Sequence, residues 1–211
     1  DCKKHTPETM LFAKGPIKQR SENGKELNYT QDLISRFSLE VVNKEFYAQI
    51  YRLFEQLVST DLKHPKASDN NQIKEHFAVR LIGRLIFCWF LKKKTRKDHS
   101  SLIPEELLSL KALDGTTSYY HDKLEPLFFE TLNKKRDVRI EKCATGLFKD
   151  IPFLNGGLFE PHDDDCYELG EFDQSRYFNT LTIPNKWFHD LFEVFETYNF
   201  TIDENTSVDM D

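Results

Sequence analysis

The run Leu85-Ile86-Phe87-Cys88-Trp89-Phe90-Leu91 is apolar without interruption, and it lies inside a longer stretch where Ile73, Phe77, Leu81, Leu85 and Trp89 recur every four residues. Recurrence at that step is the signature of one helical face, and a helix apolar on every side must be packed around its whole circumference. The spacing predicts a helix over about 72–94 that forms the centre of the domain. The run is far shorter than the roughly 20 residues that cross a bilayer, and Asp1-Cys2-Lys3-Lys4-His5 opens no signal peptide. No membrane role is expected, and a cytoplasmic location follows.

Other segments share this period. Asn43 caps a predicted helix over 44–59, with Phe46, Ile50, Leu53 and Leu57 on one face and Glu45 at the positive end of the helix dipole. Pro104, followed by Glu105 and Glu106, opens a short helix toward Leu113. Tyr119, Leu124, Leu127, Phe128 and Leu132 mark another over 118–133, which Pro126 must kink or restart. Pro184 opens a last helix, ending near Asn199, with Trp187, Leu191, Phe192, Phe195 and Tyr198 on one face. Residues 143–183 differ in kind. Gly146, Pro152, Gly156, Gly157, Pro161 and Gly170 break them into an irregular loop region with room for short strands such as 180–183. The expected class is mainly α, a multi-helix bundle carrying that loop region. Residues 1–30 read as an N-terminal arm or the tail of a preceding module, 31–200 as the helical domain, and 201–211 as an acidic lead-in to something further.

Charge and cysteine usage narrow the function classes. A net charge of −6 argues against coating nucleic acid by bulk electrostatics. Cys2, Cys88, Cys143 and Cys166 form no Cys-x-x-Cys pair, so reduced thiols are expected. The two acid-x-Lys strings, Asp1-Cys2-Lys3 and Asp61-Leu62-Lys63, lack the flanking strands of a magnesium-dependent nuclease. Neither the glycine-rich turn nor the Asn/Asp-Pro-Pro-aromatic loop of an adenine methyltransferase is present. The segment His162-Asp163-Asp164-Asp165-Cys166 has metal-ligand residue types, but contiguous side chains cannot all converge on one ion, and a solvated acidic loop is expected. His64, His76, His99, His121 and His189 are scattered and receive no catalytic role. No residue is assigned to catalysis, to a cofactor or to a metal.

Two basic clusters remain as candidate DNA-phosphate contacts: Lys92, Lys93, Lys94, Arg96 and Lys97, and then Lys134, Lys135, Arg136 and Arg139. Each follows a predicted helix, where cations also satisfy the last carbonyls and the negative end of the dipole. Arg80 and Arg84 lie four apart in a largely apolar segment and must be paired, an ion pair to a neighbouring helix being the expectation.

Five strings occur in a telling order: Asn43-Lys44-Glu45-Phe46-Tyr47; Arg80-Leu81-Ile82-Gly83-Arg84-Leu85-Ile86-Phe87-Cys88-Trp89-Phe90-Leu91; Leu124-Glu125-Pro126-Leu127-Phe128-Phe129; Ile151-Pro152-Phe153-Leu154-Asn155-Gly156-Gly157-Leu158-Phe159-Glu160; and Tyr198-Asn199-Phe200-Thr201-Ile202-Asp203-Glu204-Asn205-Thr206. From about Ser38 onward the chain resembles the helical connector of type IIG, Eco57I-like restriction-modification proteins. The resemblance implies a parent polypeptide with an N-terminal nuclease, this connector, an adenine-N6 methyltransferase and a target-recognition domain. That parent would act on double-stranded DNA with S-adenosylmethionine and Mg²⁺. It also implies interdomain docking by Asn155, Gly156, Gly157, Phe159 and Glu160, and by Asn199 and Phe200. The alternatives are the connector of a BREX-type phage-defence methyltransferase lacking a nuclease, and a free-standing helical interaction module.

Overall fold

The structure is a computed structural model and describes residues 44–68, 70–94, 100–154 and 157–198. The expectations for the arm over 1–30, for Arg96, Lys97, Asn155, Gly156, Asn199 and Phe200, and for the acidic segment over 201–211 lie outside the described residues. The chain divides into two compact units, Asp1–Ala48 and Gln49–Asp211. Of the first, only 44–48, the opening of the first helix, is described.

The described residues are mostly helical, as the periodicity predicts, and they contain no strand, only the isolated bridges Lys63↔Thr182 and Leu169↔Ser175. Helix α1 (44–56) runs into a wide π turn, Leu57–Asp61, closed by Leu62 N–H on the Leu57 carbonyl at 2.9 Å. Helix α2 (Asn71–Lys93) starts where Asn70 Oδ1 accepts from Gln72 N–H at 3.0 Å, so one of the orphan donors of the first turn is satisfied.

One packing expectation needs correcting. Helix α2 is not buried around its circumference: Phe87 is 40% and Val79 61% exposed, and Ile86 and Phe90 are half-buried. The helix enclosed on all sides is α3 (119–132), in which every residue of Pro126–Leu132 is buried. Helix α3 is wound almost throughout as π-helix, over Tyr120–Leu124 and Pro126–Leu132. The Glu125 N–H reaches back five residues to the Tyr120 carbonyl, and Asn133 N–H does the same to Phe128 at 3.1 Å. Pro126 therefore neither ends the helix nor divides it. Proline is excluded from an α-helix interior by its ring's clash with the carbonyl four residues back, and a ladder built on five-residue steps changes that spacing.

The helix expected from Pro104 is instead a set of turns leading to a 3₁₀ turn, Leu110–Leu113. The carbonyls that an α-helix would need are already taken. Tyr119 Oη donates to Leu107 O at 2.6 Å and Lys92 Nζ to Leu108 O at 2.7 Å. The irregular region expected over 143–183 is found and begins earlier, directly after α3, broken by the one-turn α4 (Glu141–Ala144) and by short 3₁₀ turns. Helix α5 (Asn185–Thr197) then presents Trp187, Phe188, Leu191, Phe192 and Phe195 to the core. Trp89 of α2 meets Phe195 and Phe192 with ring centroids 5.1 and 5.9 Å away, and Tyr119 meets Phe188 at 5.0 Å. Contacts of this kind each add about 0.5–1.5 kcal/mol beyond the area they bury. The Trp187 indole N–H donates to Leu53 O at 2.9 Å, which ties α5 to α1.

Candidate docking loop and its buried anchor

The segment 157–166 is irregular in backbone but fixed from below. Arg84, 1% exposed on α2, spreads its guanidinium across it. Nη1 and Nη2 donate to Asp165 Oδ1 and Oδ2 at 2.8 and 2.9 Å, Nε to Leu158 O at 2.8 Å, and Nη2 also to Glu160 O at 2.9 Å. The planar fork suits this task, since a bidentate carboxylate pair and two carbonyls are met at once. The rings of Phe129 and Phe128 lie 5.1 and 5.9 Å from the guanidinium carbon. Phe159 is 1% exposed and rests against Phe128 and Phe87. Its neighbours Leu158 and Glu160 turn their side chains outward.

Asp165 has no exposure at all and also accepts from His162 N–H at 2.8 Å, closing a capping box over the 3₁₀ turn Asp163–Asp165. Asp164 pairs with Arg80, and Arg80 holds its carboxyl below the usual carboxylate range against the opposing effect of burial. The expected solvated acidic loop is thus overturned for Asp164 and Asp165. They are the partners of Arg80 and Arg84, and those partners come from a loop, not from a neighbouring helix. The spacing His162-x-x-Asp165 carried the signal, as a side chain three residues on can reach back to the capping N–H.

A second polar layer lies on α3. Glu125 and Glu130 are each 1% exposed. His121 Nδ1 sits 2.9 Å from Glu125 Oε2 and its Nε2–H donates to Leu181 O at 2.6 Å, while Ser175 Oγ donates to Glu125 Oε1 at 3.2 Å. Glu130 accepts from Tyr167 Oη at 2.6 Å and from Lys134 Nζ at 2.7 Å. Burial works against a charge on His121, but the hydrogen bond and charge of Glu125 and the Leu181 carbonyl outweigh it and raise its pKa. His64 is shifted the other way by burial. Its Nδ1 accepts from Lys66 N–H at 3.2 Å, leaving Nε2–H to donate to Asp164 O at 2.7 Å, the neutral tautomer. Neither histidine was assigned a role from sequence: the Asp164 partner of His64 lies 100 residues on, but the Glu125 partner of His121 stands four residues along the same helix, a signal that could have found it.

The basic clusters divide. Lys92 is 7% exposed, with Nζ on Glu105 Oε1 at 3.0 Å and Leu108 O at 2.7 Å, over the Trp89 ring. Arg139 is 8% exposed and donates to the carbonyls of Lys134, Phe148, Thr131 and Ile151. Lys134 is paired with Glu130. Lys93, Lys94, Lys135 and Arg136 stay at the surface. Among the described residues, His189, Asp190 and Glu193 of α5 bring metal-type ligand atoms within 4.8 Å of one another, and Asp190 already pairs with Lys186 at 2.7 Å. No described helix is long and apolar enough to cross a membrane.

Residues 33–211 match the family described as a domain of unknown function, DUF7814. The chain belongs to this DUF7814 family. A relative in Methanocaldococcus jannaschii, named as a candidate type II restriction enzyme and methyltransferase, is 32% identical over 152 residues. That match covers 59% of this chain and 12% of the relative, so the DUF7814 chain corresponds to a small part of a much longer polypeptide. No solved structure matches.

Proposed function

We propose that this DUF7814 chain is the helical connector of a type IIG restriction-modification polypeptide, a rigid spacer that sets the separation of a nuclease domain from an adenine-N6 methyltransferase domain. The observation that carries the reading is the loop 157–160. Its carbonyls are held by Arg84 and its Phe159 is sunk between helices, yet Leu158 and Glu160 face outward. A loop fixed this firmly while offering an apolar and an acidic side chain is preorganised for docking, since its ordering cost is met before a partner arrives. The relative supports the reading, because its name joins restriction and methylation in one polypeptide.

In this reading the methyltransferase domain seats on Gly157, Leu158 and Glu160, while S-adenosylmethionine and Mg²⁺ are bound by the flanking catalytic domains. Among the described residues of the two clusters, the exposed cations Lys93, Lys94, Lys135 and Arg136 are the groups that can reach phosphates of double-stranded DNA. The target-recognition domain supplies the sequence reading.

The test uses the intact polypeptide that contains this segment. Leu158→Arg and Glu160→Lys should lower cleavage and shift or blur the distance between recognised site and cut, while specific DNA binding stays within about twofold. Wild-type cleavage position and rate in both variants would refute the docking role. Lys93→Glu with Lys135→Glu should weaken DNA binding and flatten its salt dependence.

A further inference from the structure

The segment 175–183 is tied to α3 at two points by one buried pair. Ser175 Oγ donates to Glu125 Oε1 at 3.2 Å, and His121 Nε2–H donates to the Leu181 carbonyl at 2.6 Å. Phe178, between the two ties, sets its ring 5.3 Å from the His121 ring. Next along, Thr182 and Lys63 exchange both backbone hydrogen bonds at 3.0 Å, so the same segment also closes on the chain after α1. Both nitrogens of His121 face acceptors, because Nδ1 lies 2.9 Å from Glu125 Oε2. A neutral imidazole carries one N–H and cannot serve both, whereas an imidazolium can.

Glu125 depends on that proton as well. It is 1% exposed, and among the described residues its ion-pair partner is His121. Tyr120, Tyr167 and Cys166, which also feel its charge, are kept neutral, chiefly by burial. Arg84 of α2, whose charge reaches Tyr120, is engaged by Asp165, and Asp122 on α3 itself adds negative charge beside His121. A buried carboxylate stripped of its counter-charge is strongly disfavoured. Loss of the proton therefore does more than break one bond: it sets the Glu125 charge against an imidazole lone pair beneath 175–183, and lifting that segment admits the water that relieves both.

From this geometry we infer that 175–183 is a strap latched by the protonated His121–Glu125 pair, closed at mildly acidic to neutral pH and lifting as the proton leaves at higher pH. The latch lies apart from the Arg84 fork and does not rest on the docking reading. The direction agrees with the raised pKa of His121, where burial opposes the charge and is outweighed by Glu125 and the Leu181 carbonyl. A raised folded pKa makes the latch fully effective below the free histidine value and lost as pH rises through the folded one.

Hydrogen exchange on the intact polypeptide, read peptide by peptide and corrected for intrinsic base catalysis, tests this. Relative to α5, protection over 175–183 should hold steady below about pH 6.5, fall by up to tenfold per pH unit above it, and level off once folded His121 has titrated. Exchange of the imidazole C2 hydrogen, followed by mass spectrometry, should place the His121 midpoint where the fall levels off. His121→Gln should leave strap exchange fast and independent of pH. Glu125→Gln removes the buried charge and offers the neutral ring a donor, so the strap should stay closed at every pH, whereas a merely structural role would loosen it. A strap whose protection tracks α5 across the range overturns the inference, as does a His121 ring that stays neutral throughout, or a slope that persists in Glu125→Gln.

Discussion

Arg84 gives the sharpest test of the architecture, because one side chain on α2 holds three groups of a loop that lies 74 to 81 residues further along the sequence. Its fork makes four hydrogen bonds, two to the Asp165 carboxylate and one each to the Leu158 and Glu160 carbonyls. Arg84→Met keeps the aliphatic stem and removes the charge. Asp165, with no exposure, is then a buried anion left with the His162 N–H and with Arg80 Nε at 3.8 Å. Removing one partner of a buried ion pair costs about 3–5 kcal/mol. For a chain of this size that corresponds to a fall in midpoint of about 6–20 °C. Arg84→Lys should recover only part of the loss, since an ammonium cannot reach the carboxylate and both carbonyls together. Arg84→Met with Asp165→Leu should be markedly more stable than Arg84→Met alone, because the uncompensated charge is gone. Urea unfolding gives the free energies, and limited proteolysis gives the place. Cleavage within 157–166 should accelerate in Arg84→Met before global unfolding does. If Arg84→Met and Asp165→Asn each cost less than about 1 kcal/mol, the loop is not held by this pair and the preorganisation argument fails.

Three further outcomes follow from the same structure. Stability should peak near the unfolded histidine pKa of about 6.5, because His64 and His121 are shifted oppositely. The lowered His64 makes the unfolded state take up more protons as pH falls below that value, so stability drops on the acid side. The raised His121 contributes fully below it and is lost as pH rises through its folded pKa. Urea midpoints measured from pH 5 to 8.5 should show both limbs, with His64→Gln flattening the acid limb and His121→Gln the alkaline one. Arg139→Met should cost at least about 2 kcal/mol and speed hydrogen exchange at Leu154, whose N–H is bonded to Leu132 O at 2.8 Å, because four carbonyls lose their donor. Lys92→Met should destabilise measurably through its Glu105 and Leu108 partners, while Lys93→Gln stays within about 0.5 kcal/mol, as surface changes do. Equal effects would contradict the division of the basic cluster.

How much of this was legible depends on which distances carry it. The face of α5 and the existence and bounds of α2 follow from a 3.6-residue period and were readable directly. The same period misled at α2's circumference, because seven apolar residues in a row say that a helix can be enclosed, not that it is. The partners of Arg84 and the Asp164 contact of His64 rest on contacts spanning 74 to 100 residues, which no local pattern encodes, whereas His121 and Glu125 stand four apart on one helix, a spacing that could have been read. Helix α3 is the instructive case. Tyr120, Glu125 and Glu130 are five apart, and on an α-helix such a step turns the side chain well away from its predecessor. Widened to five-residue hydrogen bonds, the same step brings the three near one face, and two carboxylates that would have pointed apart meet His121, Ser175, Tyr167 and Lys134. At 3.6 residues per turn those two glutamates fall on different sides of the helix. The winding, not the composition, makes them a buried polar layer beneath the loop that Arg84 holds.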